Sequence, residues 1–149
     1  MPADLVIISV GVVPNVEIAK AAGLRTGDGV IVDEYLVTSD ENISAIGDCS
    51  IFPSVHGSRA LRLESLQNAN DQAKAVANRL TGRPTRYDAV PWFWSNQDDV
   101  KLQIVGIGSM HDEEVVIRGD EAKGVFSIFR YSGGNLTAIE SVNKPADHM

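Results

Sequence analysis

A single cysteine, Cys49, and no C-x-x-C pair leave this chain without an internal disulfide, a dithiol redox centre or a Cys-rich zinc module. Dithiol chemistry of the disulfide-reductase kind is thereby disfavoured. The three histidines are scattered, with neither metal-ligand spacing nor a nearby nucleophile pattern, so no metal site is expected. No run of eighteen apolar residues is present, and the amino terminus MPADLVIISVGVVPN has Asp4 but no basic lead or small-residue cleavage site. A membrane span or signal peptide is not expected, and a reducing cytoplasm fits best. Basic residues are outnumbered 20 to 13, giving a net charge of −7 that repels nucleic-acid phosphates over most of the surface.

What is present fits an ordinary folded protein. The 149 residues are 44% apolar and 22% charged, enough to bury a core. Charge is unevenly distributed: residues 59–86 hold six basic and two acidic side chains, whereas both flanking segments are acidic. That stretch either solvates a helix and its flanks or steers an acidic protein partner to one patch.

DLVIISV, bounded by Gly11 and Pro14, has the pattern of a strand buried on both faces of a parallel sheet, yet no β-α unit precedes it in the sequence. The chain is therefore expected to be a piece of something longer. Asn15 is positioned to cap a short helix ending at Gly23, after which TGDG leads into the strand VIVDE, and ISAIGD reads as a second short strand. From Leu66, apolar residues at 66, 69, 73, 76, 77 and 80 predict a helix stopped by Gly82 and Pro84. After VPWFWS, the runs VKLQIVGI, EVVIR, GVFSIFRY and LTAIESV predict a meandering antiparallel sheet, with SGGN as a hairpin turn. The fold class is thus an α/β fragment followed, from about residue 90, by an α+β module with a mainly antiparallel sheet.

Two features could carry chemistry. Gly47 permits close approach to the backbone, and the Asp48 carboxylate can accept from sugar or ribityl hydroxyls, although a Gly-Asp pair is also an ordinary turn. In an extended segment Trp92 and Trp94 share one face, where two indoles either cover a planar ring or partner site or pack a core.

Taken in order, VGVVPN, TSDENISAIGDCS, RLESLQNANDQAKAVANRLTG, YDAVPWFWSNQDDVKLQIVGI and ESVNKPADHM resemble the C-terminal part of a known enzyme family. It is the FAD-dependent, NADH-linked ferredoxin reductases of cytochrome P450 and Rieske-type oxygenase systems, the putidaredoxin reductase and biphenyl dioxygenase ferredoxin reductase group. PWFWS after QNA is the most specific sign, whereas AIGD is shared across the wider pyridine nucleotide-disulfide oxidoreductases. The resemblance implies two dinucleotide-binding domains in the intact enzyme. It places residues 1–23 at the end of the NADH-binding domain, 24–89 in the returning FAD-domain segment, and 90–149 in the ferredoxin-facing C-terminal domain.

It further implies FAD contacts at Gly47 and Asp48, at Glu64, Ser65, Leu66, Gln67 and Asn68 near the isoalloxazine, and at Trp92 and Trp94. Gly11 and Pro14 match the loop beside NAD. Arg59, Arg62, Arg79 and Trp94 become candidate docking residues for a [2Fe-2S] ferredoxin. The family's two G-x-G-x-x-G loops do not occur in this sequence, Asn96 stands where an acidic residue is common, and the family usually continues past PADHM into a final helix. The isolated chain is accordingly expected to bind FAD weakly or not at all. The alternative is a non-enzymatic interaction module derived from such a reductase, in which residues 90–149 fold alone and residues 1–89, with their unpaired apolar strand, pair with a second copy as a homodimer or with missing N-terminal domains.

Overall fold

The computed structural model describes residues 2–57, 60–109 and 111–148, with the side chain of His148 left out. Helix α1 spans Glu17–Ala21 and closes on Gly23, whose φ of +75° lets Gly23 N–H donate to Lys20 O and Leu24 N–H to Ala19 O. Asn15 is not its cap. Buried Val16 takes that position without a side-chain cap bond, so anchoring an apolar residue sets where the helix starts.

Strands β1 (Thr26–Gly27), β2 (Gly29–Ile31) and β3 (Ser50–Ile51) form a small sheet, β1 antiparallel and β3 parallel to β2. Gly29 is required: its φ is +140°, and a Cβ there would stand 2.7 Å from Cys49 O. Neither predicted apolar strand forms as expected. DLVIISV finds no ladder partner among the described residues and leaves Leu5, Val6, Ile7 and Ile8 at least 73% exposed. ISAIGD makes only an isolated bridge from Ser44 to Val37 and then enters a 3-10 turn at Gly47–Cys49, with β3 following it. An apolar run becomes a strand only where another strand meets its backbone groups.

The core beside this sheet joins Val32, Leu36, Phe52 and Tyr87, with Leu61, Leu63 and Val76 packed against it. Tyr87 meets Phe52 edge-on at 5.2 Å. Leu36 adopts a left-handed φ of +64° because Asp33 Oδ1 accepts from both Tyr35 and Val37 N–H, and complete burial of the leucine offsets the conformational cost.

Helix α2 spans Leu66–Leu80, capped by Ser65 Oγ, which accepts from Asn68 N–H at 3.2 Å; Gly82 follows at φ +78°. The helix is where the spacing puts it, but its buried face is not the apolar stripe. Leu66 and Leu80 are 62% and 75% exposed, whereas Asn68 and Gln72 are completely buried. Both polar side chains find partners inside: Asn68 donates to Leu63 O and accepts from Tyr87 OH, each at 3.0 Å.

The second unit is a five-stranded antiparallel sheet of β4 (Trp92–Gln97), β5 (Val100–Gly106), β6 (Glu114–Asp120), β7 (Val125–Ser132) and β8 (Asn135–Val142). Gly133 and Gly134, at φ +55° and +75°, turn β7 into β8 as SGGN predicts. The order is β4-β5-β8-β7-β6, not a simple meander, because β8 pairs with β5 as well as β7. Asn143 locks this arrangement: it exchanges backbone and side-chain bonds with Lys101 and donates to Gly124 O at 3.1 Å. Ser127 and Ser141 face each other across β7 and β8, fully buried with their hydroxyls 2.6 Å apart. No helix among the described residues is long and apolar enough to cross a membrane, and no cluster there could hold a metal ion.

Candidate functional site

Gly47, at φ +74°, turns the backbone so that Asp48 stands exposed at the end of the small sheet, against α2. Among the described residues the Asp48 carboxylate has no hydrogen-bond partner, so its acceptor capacity faces outward. Arg62 fastens this turn to the segment leading into α2. One guanidinium donates to Asp48 O at 3.1 Å, Asp28 Oδ2 at 3.1 Å and Glu64 Oε1 at 2.5 Å. The hydrogen bonds it donates to Glu64 and then to Asp28 raise its already high pKa, and it stays charged.

The first turn of α2 supplies donors. Asn68 N–H is used by Ser65, but Leu66 and Gln67 N–H have no acceptor among the described residues and carry the positive end of the helix dipole. Gln67 ties this turn to the second sheet: its Oε1 accepts from Trp92 N–H at 3.1 Å and its Nε2 donates to Asp71 at 2.6 Å. Hydrogen bonds from Lys74 and then Gln67 hold the Asp71 carboxyl below its ordinary value.

Trp92 and Trp94 stack at 4.8 Å with their rings 27° apart, on one face of β4 as the alternation requires. Together with Lys101, Gln103 and Pro145 they line an open cleft of about 300 Å³. On the other side of β4, Leu63, Glu64, Phe93 and Ile104 line a narrower apolar cleft of about 140 Å³ between the α2 entrance and the sheet.

The structure therefore brings Gly47, Asp48, Glu64 to Asn68, Trp92 and Trp94 into one connected region, linked by Arg62 and Gln67. Its donor set fits a flavin nucleotide: a free carboxylate suits ribityl hydroxyls, and two free N–H groups suit a ring carbonyl that gains negative charge. Asn68 belongs to the region as a brace, since both ends of its side chain are committed within the protein. Gly11 and Pro14 lie apart in the amino-terminal segment, and no hydrogen bond among the described residues joins them to the rest.

The expected docking arginines differ from free surface charges. Arg62 is 15% exposed and triply bonded, and Arg79 turns to Ser44 Oγ at 2.5 Å. Their long side chains gain more from nearby acceptors and apolar stems than from projecting into solvent. Arg59 lies outside the described residues. Sequence reading missed Gln72, Tyr87 and the Arg62 bridge; the one signal for Gln72 was polar side chains at 68 and 72, one turn apart within an otherwise alanine-rich helix.

Residues 1–73 match the family described as pyridine nucleotide-disulphide oxidoreductase, and residues 92–149 match the one described as reductase C-terminal. Rhodocoxin reductase of Rhodococcus erythropolis is 54% identical over 147 residues, 99% of this chain and 34% of that protein. The chain is thus similar to ferredoxin reductases along almost its whole length. Putidaredoxin reductase of Pseudomonas putida is 42% identical across 99% of this chain and 35% of its own length. The crystal structure of the ferredoxin reductase for the CYP199A2 system of Rhodopseudomonas palustris superposes with a TM-score of 0.93 at 58% identity, over 99% of this chain and 36% of that one. The covalent putidaredoxin reductase-putidaredoxin complex gives 0.91 at 41%, over 99% and 35%. The chain thus spans about a third of the length of the curated relatives it matches.

Proposed function

We propose that this chain forms the carboxy-terminal part of an NADH-dependent ferredoxin reductase, a flavoenzyme that delivers electrons to a [2Fe-2S] ferredoxin serving a P450 or Rieske-type oxygenase in the cytoplasm. The observation that carries this reading is the outward Asp48 carboxylate, unpaired among the described residues, on a turn whose Asp48 backbone carbonyl Arg62 ties to the α2 entrance, in a chain similar to named ferredoxin reductases along almost its whole length. Bound FAD would supply the exchange of one hydride for two single electrons. The chain's own residues bind and orient: Asp48 accepts from the ribityl chain, Leu66 and Gln67 N–H steady negative charge on the ring, and Trp92 shields one side from water.

In this reading residues 1–23 complete an NADH-binding domain beside Gly11 and Pro14, residues 24–89 complete an FAD-binding domain, and 90–149 form the ferredoxin-facing domain. The exposed apolar residues 5–13 and the outward stripe of α2 pack against the amino-terminal domains of the intact enzyme. The face bearing Trp94 receives the ferredoxin. In the full-length reductase, Asp48→Ala is expected to lose flavin on gel filtration and to stop NADH-driven ferredoxin reduction; undiminished flavin content would refute the assignment. The same exposed apolar run favours a second reading, self-association into a homodimer. A monomer by sedimentation at high concentration would count against it.

A further inference from the structure

The turn that carries Asp48 is held from behind by a side chain with no assigned role. Gln72, completely buried midway along α2, accepts from Gly47 N–H at 2.6 Å through Oε1, and Ser50 Oγ lies 3.0 Å from the same atom. Ser50 Oγ also lies 3.0 Å from Gly47 O, so one buried amide and one buried hydroxyl bracket the glycine. The amide has one workable orientation, because reversing it would set Nε2 against the Gly47 N–H donor. In that orientation Nε2 is buried with no partner among the described residues.

An unpaired buried donor is costly, and leucine or methionine would fill the same space without it. What glutamine gives in return is control of Gly47, whose left-handed φ aims the next residue out of the sheet. We propose that Gln72 is a positioning residue for the flavin site, acting through Gly47 to hold the Asp48 carboxylate at the angle from which it meets the cofactor. This rests on the reading of Asp48 as a flavin ligand.

FAD affinity of the full-length reductase, measured by fluorescence titration for the wild type, Gln72→Met, Asp48→Ala and the double variant, tests the coupling. Gln72→Met is expected to weaken FAD binding about tenfold when Asp48 is present and to add nothing in the Asp48→Ala background. No weakening, or the same weakening in both backgrounds, overturns the role. If Asp48→Ala itself leaves affinity unchanged, the flavin reading fails and this role falls with it. Should Gln72→Met not fold, amide hydrogen exchange decides: Gly47 N–H is expected to exchange far more slowly than that of Ile46 in the wild type and to lose its protection in Gln72→Asn. Rapid exchange at Gly47 in the wild type overturns the proposal.

Discussion

Tyr87→Phe isolates the hydroxyl that joins the first core to α2. The ring is 8% exposed and packs on Phe52, so phenylalanine keeps the apolar contact and removes only the bond from Tyr87 OH to Asn68 Oδ1 at 3.0 Å. At neutral pH the variant leaves a buried acceptor unpaired, a loss of about 1–3 kcal/mol. Burial, and then the nearby Asp71 charge, push the Tyr87 phenol from its ordinary 10 up to about 12. The folded state therefore binds this proton more tightly than the unfolded state. The stability it contributes is intact below pH 10 and falls as pH rises towards 12, by about 2–3 kcal/mol across that window. Urea unfolding of both proteins from neutral to strongly alkaline pH supplies the test, since other titrating groups cancel in the difference. The gap should be largest at neutral pH and close at high pH; a gap that is absent at neutral pH, or constant throughout, would refute the argument.

Three further perturbations probe separate links. Gly106→Ala places a Cβ against the Thr137 carbonyl at φ +81° and should cost about 2 kcal/mol or more, whereas Gly133→Ala meets nothing within 4 Å and should cost less; equal urea midpoints would contradict this. Asp147 is held below its ordinary 3.8 by the nearby Ser127 hydroxyl and then by Lys144, whose ammonium stands 3.1 Å from it in an ion pair, so its contribution is present above 3.8 and lost as pH falls below it. Asp147→Asn should flatten the acid limb of the stability curve, and an unchanged limb would show that the contact is idle. Arg62→Lys keeps the charge but cannot reach Asp28, Asp48 and Glu64 together, so its urea midpoint should fall; an unaltered midpoint would remove the bridge from the account.

The limits of sequence reading are visible in particular residues. Helix α2 was legible because Ser65, Gly82 and the apolar spacing are local signals, and β7 and β8 because SGGN lies between alternating runs. Which face of α2 is buried was not legible, since the partners that let Asn68 and Gln72 be buried, Leu63 O, Tyr87 OH and Gly47 N–H, come from elsewhere in the chain. The pairing of β8 with β5 is a long-range register, fixed by Asn143 at a distance that periodicity does not reach. DLVIISV shows the converse: an apolar run specifies a strand only in company. Of the site, Gly47-Asp48 and the Trp pair stood out from the residues, the α2 entrance and the role of each came through family resemblance, and the Arg62 bridge became visible only in three dimensions.

The most direct measurement is the visible absorption spectrum of the purified full-length reductase and of its Asp48→Ala variant after incubation with excess FAD and gel filtration. The account predicts retained flavin absorbance in the first and its loss in the second, with the 149-residue chain alone also colourless. Equal retention by the reductase and its variant would contradict the assignment of Asp48, and with it the flavin site built around the α2 entrance.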